Sequence, residues 1–306
     1  MDAELIVSKV VTLFLVLLVG TYLSKRKIIT EEVTNKLSTL LINVAMPMLI
    51  VSSFNFDFDR EMLYNAGMVF VGSVIAHVLA MLISQLVYRK YPSRLKGVLK
   101  FCTVFSNCGF MGYPVLESIY GQIGIFYGSI FIIPFHIFSL SYGIIVFTGQ
   151  DKKNTFKNLK KILTHPGIIA VAIGMVLFLF SIRLPGPIQE ATEMVGSLNS
   201  PLAMIIVGAL LAKYKLREII KGFPIYLASL MRLIVVPLLL YGIMRFINMS
   251  GDAVSIVVVL SAMPAAANAV LFAERYGGDS GLASRCVGVS TILSIATIPL
   301  FIMLLT

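Results

Sequence analysis

The sequence predicts an all-α integral membrane protein: ten transmembrane helices arranged as two inverted five-helix halves. Three observations lead there. The chain is too apolar for a water-exposed globule, its basic residues fall in alternate loops, and two apolar segments are interrupted at matching positions. Of 306 residues, 58% are hydrophobic and 13% charged, where a soluble domain carries roughly 25% charge. Mean hydropathy is +0.92. The natural solvent for such a chain is a bilayer. The net charge of +10 can suggest nucleic acid, but the basic residues sit in short clusters between apolar runs, so no nucleic-acid partner is expected.

Apolar runs long enough to span fall at 4–23, 33–54, 62–88, 97–119, 122–148, 166–183, 190–212, 223–246, 252–274 and 281–304. The first begins behind Asp2 and Glu4 without a basic n-region, so a cleavable signal is not expected. The domain reading is 1–148 for the first repeat, 149–165 for a basic cytoplasmic linker and 166–306 for the second, inverted repeat. Cys102, Cys108 and Cys286 lack metal-type spacing and read as small buried hydrophobes.

Charge sets the orientation. The odd-numbered loops hold Lys25, Arg26, Lys27 and Lys36, then Arg89, Lys90, Arg94, Lys96 and Lys100. They continue with Lys152, Lys153, Lys157, Lys160 and Lys161, then Lys213, Lys215, Arg217 and Lys221, and finally Arg275. The even loops hold only Arg60, Arg183 and Arg245. The positive-inside rule places the odd loops in the cytoplasm and both termini outside. The location expected is the plasma (inner) membrane. Five spans per half make any internal repeat inverted. A repeat is visible at an offset near 155: Ala45–Ile50, with Pro47, against Asn199–Met204, with Pro201, and Tyr120-Gly121 against Tyr276-Gly277.

Span 4 contains Ser106-Asn107-Cys108-Gly109-Phe110-Met111-Gly112-Tyr113-Pro114. Two glycines and a proline at mid-span destabilise a continuous helix, and freed backbone groups cannot face lipid. Span 9 has the counterpart Ser261-Ala262-Met263-Pro264-Ala265-Ala266-Ala267-Asn268. Paired interruptions point to a substrate site, and inverted halves to a secondary transporter. A half-helix N-terminus presents unpaired N–H groups and partial positive charge, so an anion binds there without a buried cation. Asn107 and Asn268 add amides, which donate to a carboxylate without being ionised.

Three stretches carry a family resemblance: Asn43-Val44-Ala45-Met46-Pro47, Asn107 through Pro114, and Met263–Asn268 running on to Phe272-Ala273-Glu274-Arg275-Tyr276-Gly277. They resemble the auxin efflux carrier family, bacterial relatives of the plant PIN auxin transporters, and the likeness covers essentially the whole chain. It implies a ten-helix fold like the bile-acid symporters and sodium/proton antiporters, with spans 4 and 9 crossing at their breaks. It implies a small organic anion as cargo: malonate, malate or an auxin-like acid. Asn107 matches the family's crossover asparagine and Pro264 a crossover proline. The chain departs from the plant members in its short central loop and in Ala269, where they carry proline.

The expected substrate-binding set is therefore Asn43, Ser106, Asn107, Gly109, Gly112, Pro114, Pro264, Ala265 and Asn268. Gating, bracing or coupling roles fall to Arg232, His77, Glu274, Pro47 and Pro201. An arginine deep in a span costs at least a few kcal/mol, and Arg232 either binds substrate or braces helix C-terminal carbonyls, the brace being preferred. His77 either titrates in transport or, the preferred reading, bonds a neighbouring helix. Glu274 either couples transport or, again preferred, pairs with Arg275 or Arg285 at the surface.

Asp2, Asp57, Asp59, Asp151, Asp252 and Asp279 all lie in loops or termini, which disfavours the alternative of a sodium/proton antiporter of the same fold. An enzyme is disfavoured because His77, His136 and His165 are scattered and no nucleophile elbow occurs. No metal or cofactor is expected. Coupling to H+ or Na+ is open, and a homodimer is compatible with the sequence.

Overall fold

A computed structural model describes residues 3–149, 160–212, 222–247, 249 and 251–305. Lys152, Lys153, Lys157, Lys213, Lys215, Arg217, Lys221, Asp2 and Asp151 lie outside the described residues. Within them the chain is helical, with one isolated antiparallel bridge between Ser106 and Ala265. The helices are α1 (Ala3–Lys25), α2 (Glu31–Ser53), α3 (Arg60–Val87), α4 (Ser93–Val104) and α5 (Tyr113–Leu140). They continue as α6 (Tyr142–Thr148), α7 (Pro166–Leu179), α8 (Gly186–Gly196), α9 (Asn199–Ala212) and α10 (Phe223–Phe246). The last are α11 (Asp252–Ser261), α12 (Ala269–Tyr276) and α13 (Ser280–Leu305).

Seven helical stretches among the described residues are long and apolar enough to cross a membrane, and α7 and α11 are shorter apolar helices. Large apolar side chains face outward, with Leu86 77% and Phe246 87% exposed. Such a surface suits lipid. The termini of individual helices follow local chemistry. The Thr30 hydroxyl accepts the Val33 N–H at 3.4 Å and the Asp59 carboxylate accepts the Met62 N–H at 2.7 Å, capping α2 and α3.

Three π-helical turns, Leu41–Ala45, Cys108–Gly112 and Met231–Val235, share one cause. Each ends two residues before a proline: Pro47, Pro114 and Pro237. Proline lacks the N–H that would bond one turn back, and its ring clashes with that carbonyl. One extra residue in the preceding turn relieves both problems while keeping the segment helical. Pro47 therefore widens α2 without breaking it.

The run Cys108–Thr148 is 41 residues long, about 60 Å at 1.5 Å per residue, roughly twice a bilayer's hydrocarbon core. It turns at Gly121, where φ is 60° and ψ −144°, a conformation open to glycine and strained for other residues. Gly277, at the matching place after α12, has φ 78°. Both follow a tyrosine.

Two packing groups emerge. In one, α1 lies along α9 and α2 packs on α7 and α8; in the other, α3 packs on α5 and α11, and α13 on α10 and α12. The α1–α9 seam is close because it is lined by glycine. A methyl on Gly20 would stand 2.2 Å from the Ile205 carbonyl oxygen, and one on Gly208 1.9 Å from that of Leu17. The Thr21 hydroxyl also donates to the Gly208 carbonyl at 3.0 Å. Gly208→Ala is expected to cost about 1–3 kcal/mol through overpacking. A lowered thermal midpoint of the detergent-purified protein checks this, and an unchanged midpoint refutes the close seam.

Three helix ends beside basic segments come together. Gly97, near the start of α4, and Gly278, beyond α12, both pack against Phe147 at the end of α6. Elsewhere the Arg183 guanidinium pairs with Asp57 at 2.8 Å, joining the loops that follow α2 and α7.

Candidate functional site

The two interruptions meet in space. The Asn107 N–H donates to the Pro264 carbonyl at 2.7 Å, and the Ala266 N–H donates to the Phe105 carbonyl at 2.9 Å. Freed backbone groups of one break thus satisfy those of the other, the condition for unwound chain at membrane depth. The Ala265 N–H is taken by the Ser290 hydroxyl of α13 at 3.1 Å. Beyond the bridge the Asn107 carbonyl accepts from Met111 and Gly112 at 3.1 and 3.0 Å, starting the π turn that leads into α5.

Arg232 holds the opposite ends. It sits in the π turn of α10 and is 2% exposed. Its guanidinium donates to the carbonyls of Thr103 and Val104 at 2.9 and 3.0 Å, and to the carbonyl of Ser261. Those residues close α4 and α11. One cation therefore neutralises the carbonyl ends of two half-helices, where the helix dipoles concentrate negative charge. All three of these donations go to backbone carbonyls, the bracing arrangement rather than the substrate-binding one.

A cavity of about 130 Å³ lies against the breaks. At roughly 30 Å³ per water it takes about four water-sized groups, the scale of a small organic acid. Ser106, Asn107, Gly109 and Asn268 line it as the sequence suggests, together with Ile42, Met46, Cys108, Phe110, Phe135, His136 and His165, which the sequence did not single out. Two amide atoms, Asn107 Nδ2 and Asn268 Oδ1, are buried and find no partner in the protein. Buried amides without partners carry an energetic penalty that a ligand or water relieves.

Other expected residues fall elsewhere. Asn43 is exposed and its amide donates to the Thr39 carbonyl of its own helix at 2.8 Å; the π turn directs Ile42 and Met46, not Asn43, into the cavity. Gly112 packs under Leu260, leaving 2.6 Å for a β-carbon. Pro114, Pro264 and Ala265 form the break backbone rather than the cavity wall, and Pro47 and Pro201 also lie outside that wall. The His77 ring bonds to the Ser73 carbonyl at 2.7 Å, within its own helix rather than to a neighbour, among Phe105, Phe131, Phe135 and Phe138. Glu274 is exposed and makes no ion pair among the described residues; Arg275 instead lies over the Tyr276 ring at 5.8 Å.

Counting aspartates overlooked Glu117. It lies within α5, beyond the break, where the Ser200 hydroxyl donates to its carboxylate. It lines a second cavity of about 180 Å³ with Ser52, Ser53, Gln122, Glu193 and Ser197. The two cavities border successive stretches of α2, Ile42 to Met46 and then Leu49 to Ser53, and of the segment running from the first break into α5.

Comparison with known proteins agrees with this architecture. Residues 5–302 match the family described as membrane transport protein. The chain is 27% identical over 297 residues to an uncharacterized transporter of Methanothermobacter thermautotrophicus, covering 95% of this chain and 96% of that one. It is 25% identical over 309 residues to the uncharacterized transporter MJ1031 of Methanocaldococcus jannaschii, covering 95% and 96%. A Rhizobium meliloti protein provisionally named a malonate transporter shares 26% identity over 145 residues, 45% of this chain and 43% of that protein. A match running from the first helix to the last, through both interruptions, makes this chain a member of the membrane transport protein family, that of the auxin efflux carriers.

Proposed function

We propose that the protein is a secondary transporter that moves small organic anions, carboxylates of malonate size, across the plasma membrane by alternating access. The observation that carries this reading is the unpartnered amide donor Asn107 Nδ2, beside one cavity at the meeting of two broken helices that Asn268 also lines. The half-helices that start there, at Cys108 and Ala269, offer the partial positive charge of their N-termini to an anion. The malonate assignment of the Rhizobium meliloti relative supports the carboxylate class.

The ten-span reading joins α4 to the start of α5 as span 4, and α11 to α12 as span 9. It divides the long run at Gly121. The positive φ at both Gly121 and Gly277 supports the inverted repeat. Spans 1, 2, 6 and 7 form one bundle. The remaining six, containing the crossover of spans 4 and 9, form the other, and rocking between them opens the Asn107 cavity and the Glu117 cavity in turn. The meeting of three helix ends beside basic segments supports a cytoplasmic placement for them, with both termini outside.

The test is thermal stabilisation of the detergent-purified protein by a panel of mono- and dicarboxylates, with and without sodium. A specific ligand at a hundredfold excess over Kd stabilises by about 2.7 kcal/mol. A shift with one carboxylate identifies the cargo. Shifts with sodium alone favour the second reading, a cation antiporter of the same fold, for which Glu117 supplies the intramembrane carboxylate.

A further inference from the structure

The cavity beside the breaks has no fixed positive charge. Its polar side chains are Ser106, Asn107, Cys108, His136, His165 and Asn268, and the nearby guanidinium of Arg232 is committed to the carbonyls of Thr103, Val104 and Ser261. An anion there gains from helix ends and amides, yet a full charge moved through a low-dielectric site calls for a mobile countercharge.

His136 of α5 and His165, the residue capping α7, provide a place for one. Their rings lie 3.9 Å apart at 40°, and both line the same cavity as the unpartnered Asn107 amide, which is 4% exposed. The two histidines are not equivalent. His165 Nδ1 accepts the Gly167 N–H at 3.2 Å, so that nitrogen is unprotonated and the ring's proton sits on Nε2. His165 also stands at the positive end of α7, where a second positive charge is disfavoured. The His136 ring makes no hydrogen bond among the described residues, and its nitrogens remain available. Two imidazolium rings at this separation would repel strongly, so the pair holds one proton at a time.

We propose that His136, faced by the neutral His165 ring, takes up one proton with each organic anion and carries it across, making the protein an anion–proton symporter. This deepens the carboxylate-transport reading and rests on it. The proton comes from water on the loading side, resides on a His136 ring nitrogen while the anion occupies the cavity, and returns to water on the far side with the anion. An O–H bond of hydronium breaks as the N–H bond forms on loading, and the exchange reverses on release. The surrounding titratable and charged groups are Cys108 on the cavity wall, His77 of α3 on the other side of Phe135, Arg232 of α10 at the α4 and α11 ends, and the exposed Lys160 and Lys161 preceding His165. The remaining wall, from α2, faces the pair with Ile42 and Met46.

The test reconstitutes the full chain in liposomes enclosing a pH-sensitive dye and imposes a gradient of the carboxylate found to stabilise it, or of malonate. Wild-type protein is expected to move anion and acidify the lumen together, with flux rising up to about tenfold per pH unit of acidification on the loading side. His136→Gln should lose the lumenal acidification and most of that pH dependence, with the thermal stabilisation by the carboxylate weakened. His165→Asn, which keeps a capping acceptor for Gly167, should weaken the pH dependence less. Wild-type anion flux without acid movement overturns the proton pair and leaves the transport reading intact, whether or not either variant folds. His136→Gln protein that still acidifies the lumen at the wild-type ratio also overturns it. Absence of flux and of stabilisation with every carboxylate overturns the transport reading and the proposal with it.

Discussion

Asn107→Ala should reduce carboxylate flux at least a hundredfold while leaving the protein folded. The side chain sits at the start of the π turn, is 4% exposed, and its Nδ2 has no partner in the protein. Removing it breaks no internal side-chain hydrogen bond, and the backbone bridge to Pro264 at 2.7 Å uses only the N–H. A hydrogen bond to a charged ligand contributes about 1.5–3 kcal/mol, a factor of roughly ten to a hundred in binding, and a misplaced anion loses more in the later steps. Flux should therefore fall while the thermal midpoint without ligand stays within about 0.5 kcal/mol of wild type, as for a substitution that removes no packed feature. A folded variant transporting at the wild-type rate would show that the anion does not bind at the breaks.

Arg232→Met should produce the reverse pattern, a large loss of stability with the cavity lining unchanged. The substitution leaves the carbonyls of Thr103, Val104 and Ser261 buried without the donor they share. Each unsatisfied buried group costs about 1–3 kcal/mol, so the expected loss is about 3 kcal/mol or more. Arg232→Lys should recover only part of it, because a single ammonium cannot span two half-helix ends as a planar fork does. The measurement is thermal unfolding in detergent, with a carboxylate-binding assay on the Lys variant. Wild-type stability in the Met variant would mean that water satisfies those carbonyls and that Arg232 does not brace the breaks.

Much of the fold was legible in the sequence because bilayer solvation acts on stretches of chain rather than on pairs of residues. An apolar run of about twenty residues is a helix candidate whatever its neighbours are. The breaks were legible because proline and glycine act on the backbone locally, and the tyrosine–glycine pairs at 120–121 and 276–277 are both sites of positive φ. Asn107 and Asn268, which line the cavity, were legible for the same reason: they lie inside those interruptions.

Side-chain direction was less accessible. Each π turn adds a residue and rotates the rest of the helix by about 100°, so periodicity cannot say whether Asn43 or its neighbours Ile42 and Met46 look inward. Glu117 escaped because a search restricted to aspartate passes over a glutamate partly buried beneath Ser200. Had prolines been read together with the turn before them, Pro237 would have signalled the widened turn that carries Arg232.

By itself, then, the sequence determined the membrane class, the helix limits near the breaks and the spacing of basic clusters along the chain. All of these are local or additive consequences of hydropathy, backbone chemistry and charge. The tertiary structure alone decided that Asn107 bonds to Pro264, that one arginine closes two helix ends, and that His136 and His165 lie ring against ring, tilted, in one cavity. Such pairings depend on how packed helices are rotated and shifted against each other, a property of their combined surfaces that no single segment contains.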